Sequence, residues 1–193
     1  MTYELATTKL DFNDAAPQRS FEVIPAGTIV KVSMWIKAGG HTDLSQGWAD
    51  GWATRNPSTG AVYLNCEFTV LEGEYAKRKI WHLIGLHSEK GDEWRNMGKS
   101  FIKAILNGAH GFSEKDDSAK AQAARCINGY QELNGLEFSV LLDVEVNERD
   151  NKERNRIETV ITKDHPYHGG TIPKNHPKKA LNASANDLEL WSK

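Results

Sequence analysis

This chain has few cysteines, no long apolar run and no excess of one charge sign. Each of these absences excludes some classes of protein. The 193 residues include only two cysteines, Cys66 and Cys126, which are too few for a disulfide framework. Cys66 lies among apolar residues in an alternating segment, so we expect two reduced thiols, with Cys66 in the core. No apolar run reaches the length of a membrane span, and the first residues lack the pattern of a secretory signal. We therefore expect a cytosolic protein that does not associate with membranes.

Sequence motifs for catalysis are missing as well. The chain has no Walker A run, no GxGxxG turn, no GxSxG elbow and no HExxH helix. Acidic residues such as Glu67, Asp143 and Glu145 lie on predicted strands, but they do not form the motif of a metal-dependent nuclease. Histidines near the C-terminus have no cysteine or paired carboxylate at the spacing of a metal site. We expect no enzymatic activity, no metal and no cofactor, and we keep a nuclease or nuclease regulator as an alternative.

Charge and composition indicate one domain with polar appendages. Lysine and arginine number 24 against 26 aspartates and glutamates, which gives a net charge of −2. Because the molecule as a whole is nearly neutral, any binding of nucleic acid must depend on a local basic surface. The pattern predicts an N-terminal arm over residues 1–26, a folded domain over 27–163 and a flexible C-terminal tail over 164–193.

Five segments alternate between apolar and polar residues with the period of a β-strand. They cover residues 28–37, 61–71, 80–86, 136–146 and 154–163. Apolar residues at helical spacing predict a helix over 91–109, and a capping pattern at Ser113 predicts a second helix that ends near Ile127. Residues 39–60 form a long first connection without a visible period. Five strands with a helix after the third is the order of an OB-fold barrel, so we predict a mainly β protein of this class.

Residue parity then predicts a binding surface on the outside of this barrel. If the aliphatic positions face the core, the intervening positions carry aromatic residues, which stack on bases, and cations, which contact phosphates. The predicted contacts to single-stranded DNA are Lys31, Trp35, Lys37, Trp48, Trp52, Arg55, Tyr63, Lys77, Arg78, Lys79, Trp81, Arg154 and Arg156. Three alternatives stay open. Trp48 and Trp52 could plug the barrel, the arginines at residues 154–156 could belong to an ordinary solvated turn, and the aromatic face could bind a protein.

The segment YLNCEFTVLEGEYAKRKIWHLIGL, residues 63–86, resembles a hallmark of a phage- and prophage-borne family catalogued as domain of unknown function 669. Ala109-His110-Gly111 is similar to the end of the family's helix, and Asn155-Arg156-Ile157 is similar to its closing strand. The resemblance covers roughly residues 20–163, with departures at Ala76-Lys77-Arg78, where a Gly-Arg pair is usual, and in the long first connection. It implies a small OB-like protein that binds single-stranded DNA during phage replication or recombination, in the cytoplasm of a bacterial host.

Together these observations predict a sequence-nonspecific single-stranded DNA-binding protein, an accessory to phage DNA replication or recombination. Its affinity should fall steeply with salt, because bound cations displace counterions from the phosphates. A second hypothesis concerns the C-terminal tip. Its segment Asp187-Leu188-Glu189-Leu190-Trp191 is similar to the acidic and apolar tips that recruit replication or recombination proteins. The sequence leaves the oligomeric state open, although OB-fold proteins often form homo-oligomers.

Overall fold

The computed structural model describes residues 11–17, 22–147 and 150–169, and these residues form seven strands and two α-helices. The elements are β1 (Ile29–Lys37), β2 (His41–Asp43), β3 (Trp48–Arg55), β4 (Val62–Val70), β5 (Lys79–His87), α1 (Glu93–His110), α2 (Ala119–Ala124), β6 (Glu137–Asn147) and β7 (Lys152–Ile161). Short 3₁₀ turns follow β2 at Leu44–Gln46 and precede β6 at Tyr130–Leu133.

A curled antiparallel sheet forms a half-barrel around the core. β1 lies at the centre of this sheet, because it pairs with β4 along one edge and with β6 along the other. β5 extends the sheet beyond β4, and β7 extends it beyond β6. The mainly β class that alternation predicted is confirmed, and the five predicted strands correspond to β1, β4, β5, β6 and β7.

The core consists of the apolar positions that alternate along these strands, together with the apolar stripe of α1. Cys66 belongs to it as predicted, and burial raises the pKa of its thiol to about 12. Phe68 of β4 meets Phe138 of β6 edge to face, with ring centroids 6.1 Å apart. Full burial of such a side chain contributes about 1.5–3 kcal/mol to folding. Other fully buried members are Val32, Met34, Ile36, Leu64, Ile80, Ile84, Ile105 and Leu142.

Helix α1 packs against β5 through two glycines that allow the backbones to approach closely. A Cβ atom at Gly98 would collide with the backbone carbonyl oxygen of Gly85, and a Cβ atom at Gly85 would overlap the Trp94 indole. Trp94, in the first turn of α1, therefore fills the space above Gly85 and is only 7% exposed. Gly111 ends the helix with φ 72° as its left-handed C-cap.

The long first connection differs from its prediction, because it contains the hairpin of β2 and β3. Gly40 and Gly51 both have positive φ, 77° and 68°, and the Gly40 amide donates to the Gly51 carbonyl at 2.8 Å. β3 then joins the main sheet through the pairs Thr54↔Tyr63 and Arg55↔Val62. The sequence of β3, WADGWATR, has no alternating β-branched residues. Its strand conformation is stabilised by pairing with neighbours and not by local propensity.

The second helix is shorter than predicted and begins later. Ser118, and not Ser113, is its N-cap: the Ser118 hydroxyl accepts a hydrogen bond from the Ala121 amide at 3.2 Å. In the predicted capping pattern, Asp116 is the third residue after Ser113. Its carboxylate instead accepts a hydrogen bond from the Ser118 amide at 2.9 Å. The capping pattern was present in the sequence, but a second serine five positions later competes for the same role.

The segment before β1 contacts the last strand through the side chain of Asn155. The amide of Ile24 donates to Asn155 Oδ1 at 2.8 Å, and Asn155 Nδ2 donates to the Ile24 carbonyl at 2.7 Å. Ile24 itself is fully buried in the core. Ile24 therefore lies against β7. The predicted tail beyond residue 169 lies outside the described residues, including its tip at residues 187–191.

Candidate nucleic-acid interface

The register of β1, β4 and β5 brings polar and aromatic side chains together on the outer face of the sheet. In antiparallel strands, residues directly opposite each other project to the same side. The pairing gives three parallel rows across the strands, which we call the tryptophan face: Ser33–Thr69–Lys79, Trp35–Glu67–Trp81 and Lys37–Asn65–Leu83. The parity argument predicted this outward orientation, and the exposure of Trp35, Lys37, Lys79 and Trp81 agrees with it.

The central row places two exposed indoles on either side of a carboxylate. Trp35 is 59% exposed and Trp81 is 62% exposed, although tryptophan is usually well buried in folded proteins. Since neighbouring paired strands lie about 5 Å apart, the two backbones are about 10 Å apart with Glu67 between them. Two large apolar rings held open to solvent on a regular sheet form a surface to which planar ligands can bind by stacking.

Two lysines of this region form ion pairs with neighbouring carboxylates. Lys79 Nζ lies 2.7 Å from Glu67 Oε1, and Lys31 Nζ lies 2.7 Å from Glu137 Oε2. The hydrogen bond and the charge of Glu137 raise the pKa of Lys31 above its ordinary value. Lys37 is exposed and has no ion pair among the described residues. The face is therefore only weakly positive, because most of its cations are balanced locally.

Tyr63 lies at the edge of the tryptophan face, where α1 begins to cover the sheet. Its side chain is half-buried, and its ring centroid lies 6.2 Å from that of Trp94. Gly85, opposite Tyr63 on β5, makes room for this contact. Trp94 is one of the apolar residues whose spacing predicted the helix, and its burial agrees with a core position. Nothing in the sequence indicated that this indole would border the predicted binding surface.

The turn between β4 and β5 leads through three consecutive predicted contacts, Lys77, Arg78 and Lys79. Lys77 is exposed and adopts a positive φ of 69°, a strained conformation for a residue with a side chain. Arg78 is half-buried, and its guanidinium donates to the backbone carbonyl of Glu22. Arg78 thus attaches the N-terminal segment to this turn, while Lys77 projects into solvent beside the row that ends in Lys79.

Five of the predicted contacts lie apart from this surface, and Trp48 is the clearest correction. Trp48 is only 7% exposed and packs in the core beside His41 and His87, with ring centroids 5.9 and 6.3 Å away. Its indole N–H also forms a hydrogen bond with Tyr130, whose pKa is raised by burial. Trp52 is half-buried against the same core. Of the two roles left open, packing in the core describes Trp48, whereas Trp52 is only partly buried.

Arg55, Arg154 and Arg156 are also separate from the tryptophan face. Arg55 lies opposite the buried Val62, so it shares the side of the sheet away from Trp35. The other two lie on the β6–β7 hairpin: Arg154 pairs with Asp150 and Arg156 pairs with Asp143, both at 2.7 Å. The pair of Arg154 with Asp150 corresponds to the solvated-turn alternative, whereas Arg156 is a partly buried strand residue whose charge Asp143 balances.

A half-buried histidine lies on the opposite face of β5. The His82 ring stacks near Phe101 of α1, with centroids 4.8 Å apart. Burial, reinforced by the positive charge of Arg156, lowers the pKa of His82 to about 4. His82 is therefore neutral at physiological pH and acts as a packing residue between the sheet and the helix.

Five residues of the tryptophan face were not among the predicted contacts: Ser33, Asn65, Glu67, Thr69 and Leu83. Leu83 is 42% exposed at the end of the row that begins with Lys37, and Glu67 occupies the centre of the face. Both have the outward parity that identified Trp81, so the same signal could have found them. Glu67 was noted only as a strand carboxylate, since its position between the two indoles depends on strand register.

The described residues contain no group of three or more histidine, cysteine or acidic side chains that could hold a metal ion. Of the carboxylates considered for a nuclease site, Glu67 pairs with Lys79 and Asp143 with Arg156. Within the same part of the chain, neither helix is long and apolar enough to span a membrane.

No protein-family model matches the chain, and no curated protein is significantly similar to it. The resemblance to the phage family therefore stays a prediction, based on the residues that carry it.

Proposed function

We propose that this protein binds single-stranded DNA on the tryptophan face, largely without regard to sequence. The observation that carries the proposal is the row Trp35–Glu67–Trp81, in which two exposed indoles flank one strand of an outward sheet face. Every base has a π-face, so stacking on tryptophan tolerates any sequence and is worth about 1–3 kcal/mol per base. The resemblance to the phage family supports a role as an accessory in phage DNA replication or recombination.

The arrangement of the strands supports an OB-type barrel with a helix between its third and fourth strands. Without the β2–β3 hairpin, the chain order is β1, β4, β5, α1, β6 and β7, and β1 pairs with both β4 and β6. β5 and β7 also contact each other, although no backbone pairing joins them. In OB-folds the face of the second and third strands and the loops beside it bind oligonucleotides. Here those strands would be β4 and β5.

The cations around the face fit a ligand held mainly by stacking. Lys37 lies in the row next to the tryptophans, and Lys77 projects from the turn that leads into β5. Both are available for phosphates, whereas Lys31 and Lys79 must first give up their carboxylate partners. We therefore revise the steep salt dependence expected from the sequence and expect a shallower one, since fewer counterions are released.

Fluorescence anisotropy of a labelled oligo-dT of about 15 nucleotides tests the proposal. The oligonucleotide is titrated with the full chain at about 50 mM and about 200 mM salt, beside a duplex of the same length. We expect saturable binding of the single strand, weaker at the higher salt, and little binding of the duplex. An absence of binding at low salt would overturn the proposal, and equal binding of duplex would argue against base stacking.

The second candidate is a protein-interaction surface, and the exposed Leu83 favours it. Leu83 adds an aliphatic side chain to the two indoles, and a face with paired charges and exposed aromatic residues is also typical of a protein interface. The two functions differ in their dependence on this residue. Leu83→Ala should leave DNA affinity within about twofold, because an aliphatic side chain contributes little to stacking, whereas it should weaken a protein interface strongly.

A further inference from the structure

A carboxylate lies at the centre of the proposed DNA surface. Because it is negatively charged, it cannot contribute to binding the phosphates. Glu67 lies directly between Trp35 and Trp81, and its side chain is 29% exposed. Lys79 occupies Oε1 at 2.7 Å. A carboxylate has two oxygens and about four acceptor positions, so this single ion pair leaves acceptor capacity for a ligand.

The position of Glu67 matches the hydrogen-bonding edge of a stacked base. A base that lies on either indole is about one strand spacing, or about 5 Å, from the backbone of β4. Its polar edge can then face Glu67. Because the carboxylate only accepts hydrogen bonds, it discriminates between bases by the N–H groups that they present.

Guanine is the DNA base whose edge suits a carboxylate best. Its Watson–Crick edge presents two adjacent donors, the ring N1–H and the exocyclic N2 amino group, which match the two carboxylate oxygens. Thymine presents one N–H between two carbonyl oxygens, which repel a carboxylate. Cytosine and adenine present an amino group beside an unprotonated ring nitrogen, so they satisfy one oxygen only. Paired contacts of this kind discriminate between bases where single contacts discriminate weakly.

We propose that Glu67 recognises guanine on the tryptophan face, so that the protein prefers single strands that contain guanine over pure thymine strands. The inference rests on the proposed function and deepens it. Stacking and phosphate contacts accept any sequence, and Glu67 adds a preference at one nucleotide position. Lys79 holds the carboxylate from the side of the neighbouring row and keeps it oriented between the indoles.

A single-base series tests this directly. The probe is a labelled oligo-dT of about 15 nucleotides whose central base is thymine, guanine, inosine, adenine or cytosine, titrated by anisotropy with the full chain. One guanine in a thymine background avoids guanine self-association, and inosine lacks only the N2 amino group. We expect the guanine probe to bind about fivefold or more tightly than the thymine probe. The inosine probe should fall between them.

Two variants of the chain locate the effect. Glu67→Gln should remove the preference for guanine, because an amide offers one acceptor beside a donor. Glu137→Gln is the matched control: Glu137 forms the same 2.7 Å ion pair with a lysine and borders the same face, but it lies opposite Ser33. It should keep the wild-type order of affinities. Unchanged thermal unfolding of both variants would show that they fold.

The outcomes separate this inference from the function on which it rests. Equal affinity for all five probes would overturn guanine recognition and leave single-stranded DNA binding intact. A guanine preference that survives in Glu67→Gln would overturn the assignment to Glu67. Failure to bind any probe would overturn the proposed function itself, and the inference with it.

Discussion

Replacement of Trp35 and Trp81 by alanine gives the sharpest quantitative test of stacking on this sheet. Each indole is more than half exposed, at 59% and 62%, so its removal should change the free energy of unfolding by no more than about 0.5 kcal/mol. If each ring stacks on one base, each single variant should lose about 1–3 kcal/mol of binding free energy, or roughly 5-fold to 150-fold in Kd.

The double variant extends the test, because the two sites are independent. Their backbones are about 10 Å apart, a distance at which mutational effects usually add within about 0.5 kcal/mol. The Trp35→Ala, Trp81→Ala chain should therefore lose the sum of the two single effects in an anisotropy titration with oligo-dT. Leu83→Ala, on the same face, is the control for general loss of apolar surface. Wild-type affinity in the folded double variant would refute the stacking argument.

Three further predictions concern salt, pH and packing. The slope of log Kobs against log salt should be about −1.4, because Lys37 and Lys77 each contribute about −0.7. Lys37→Gln should make the slope shallower by about 0.7. An unchanged slope would exclude Lys37 from phosphate contact. His82 has a pKa of about 4 when folded, against an ordinary value near 6.5, so only the unfolded chain gains a proton as pH falls through this range. Stability should be complete above pH 6.5 and fall by about 1–3 kcal/mol towards pH 4 in urea titrations, a decline that folded His82→Gln should not share. Gly98→Ala should lower stability by about 1–2 kcal/mol despite a gain in helix propensity, because its Cβ collides with the Gly85 carbonyl; a stabilised variant would contradict that contact.

Alternation in the sequence was sufficient to predict the strands and the direction of their side chains. The period of two in β1, β4 and β5 reflects a sheet with one buried face, so it predicted that Trp35 and Trp81 would face outward and Cys66 inward. That signal is local. It depends on each strand having its own core side, and no knowledge of the partner strand is needed.

The register of the strands could not be predicted from the sequence, because it depends on pairing between residues that are distant along the chain. Nothing in the local pattern places Glu67 between Trp35 and Trp81; that position follows from the alignment of three strands. The same limit explains Trp48. Its strand contains glycine and alanine in place of β-branched residues, so only its pairing within the sheet brings the indole into the core.

The contact between Ile24 and Asn155 determines how far the chain can be shortened from its N-terminus. One asparagine side chain presents an acceptor and a donor to the backbone of Ile24, in the manner of a neighbouring strand. Removal of the first 26 residues would therefore take away a fully buried isoleucine and leave the Asn155 amide without these two partners. A shortened chain that begins before Glu22 keeps both contacts, and also the carbonyl that Arg78 binds.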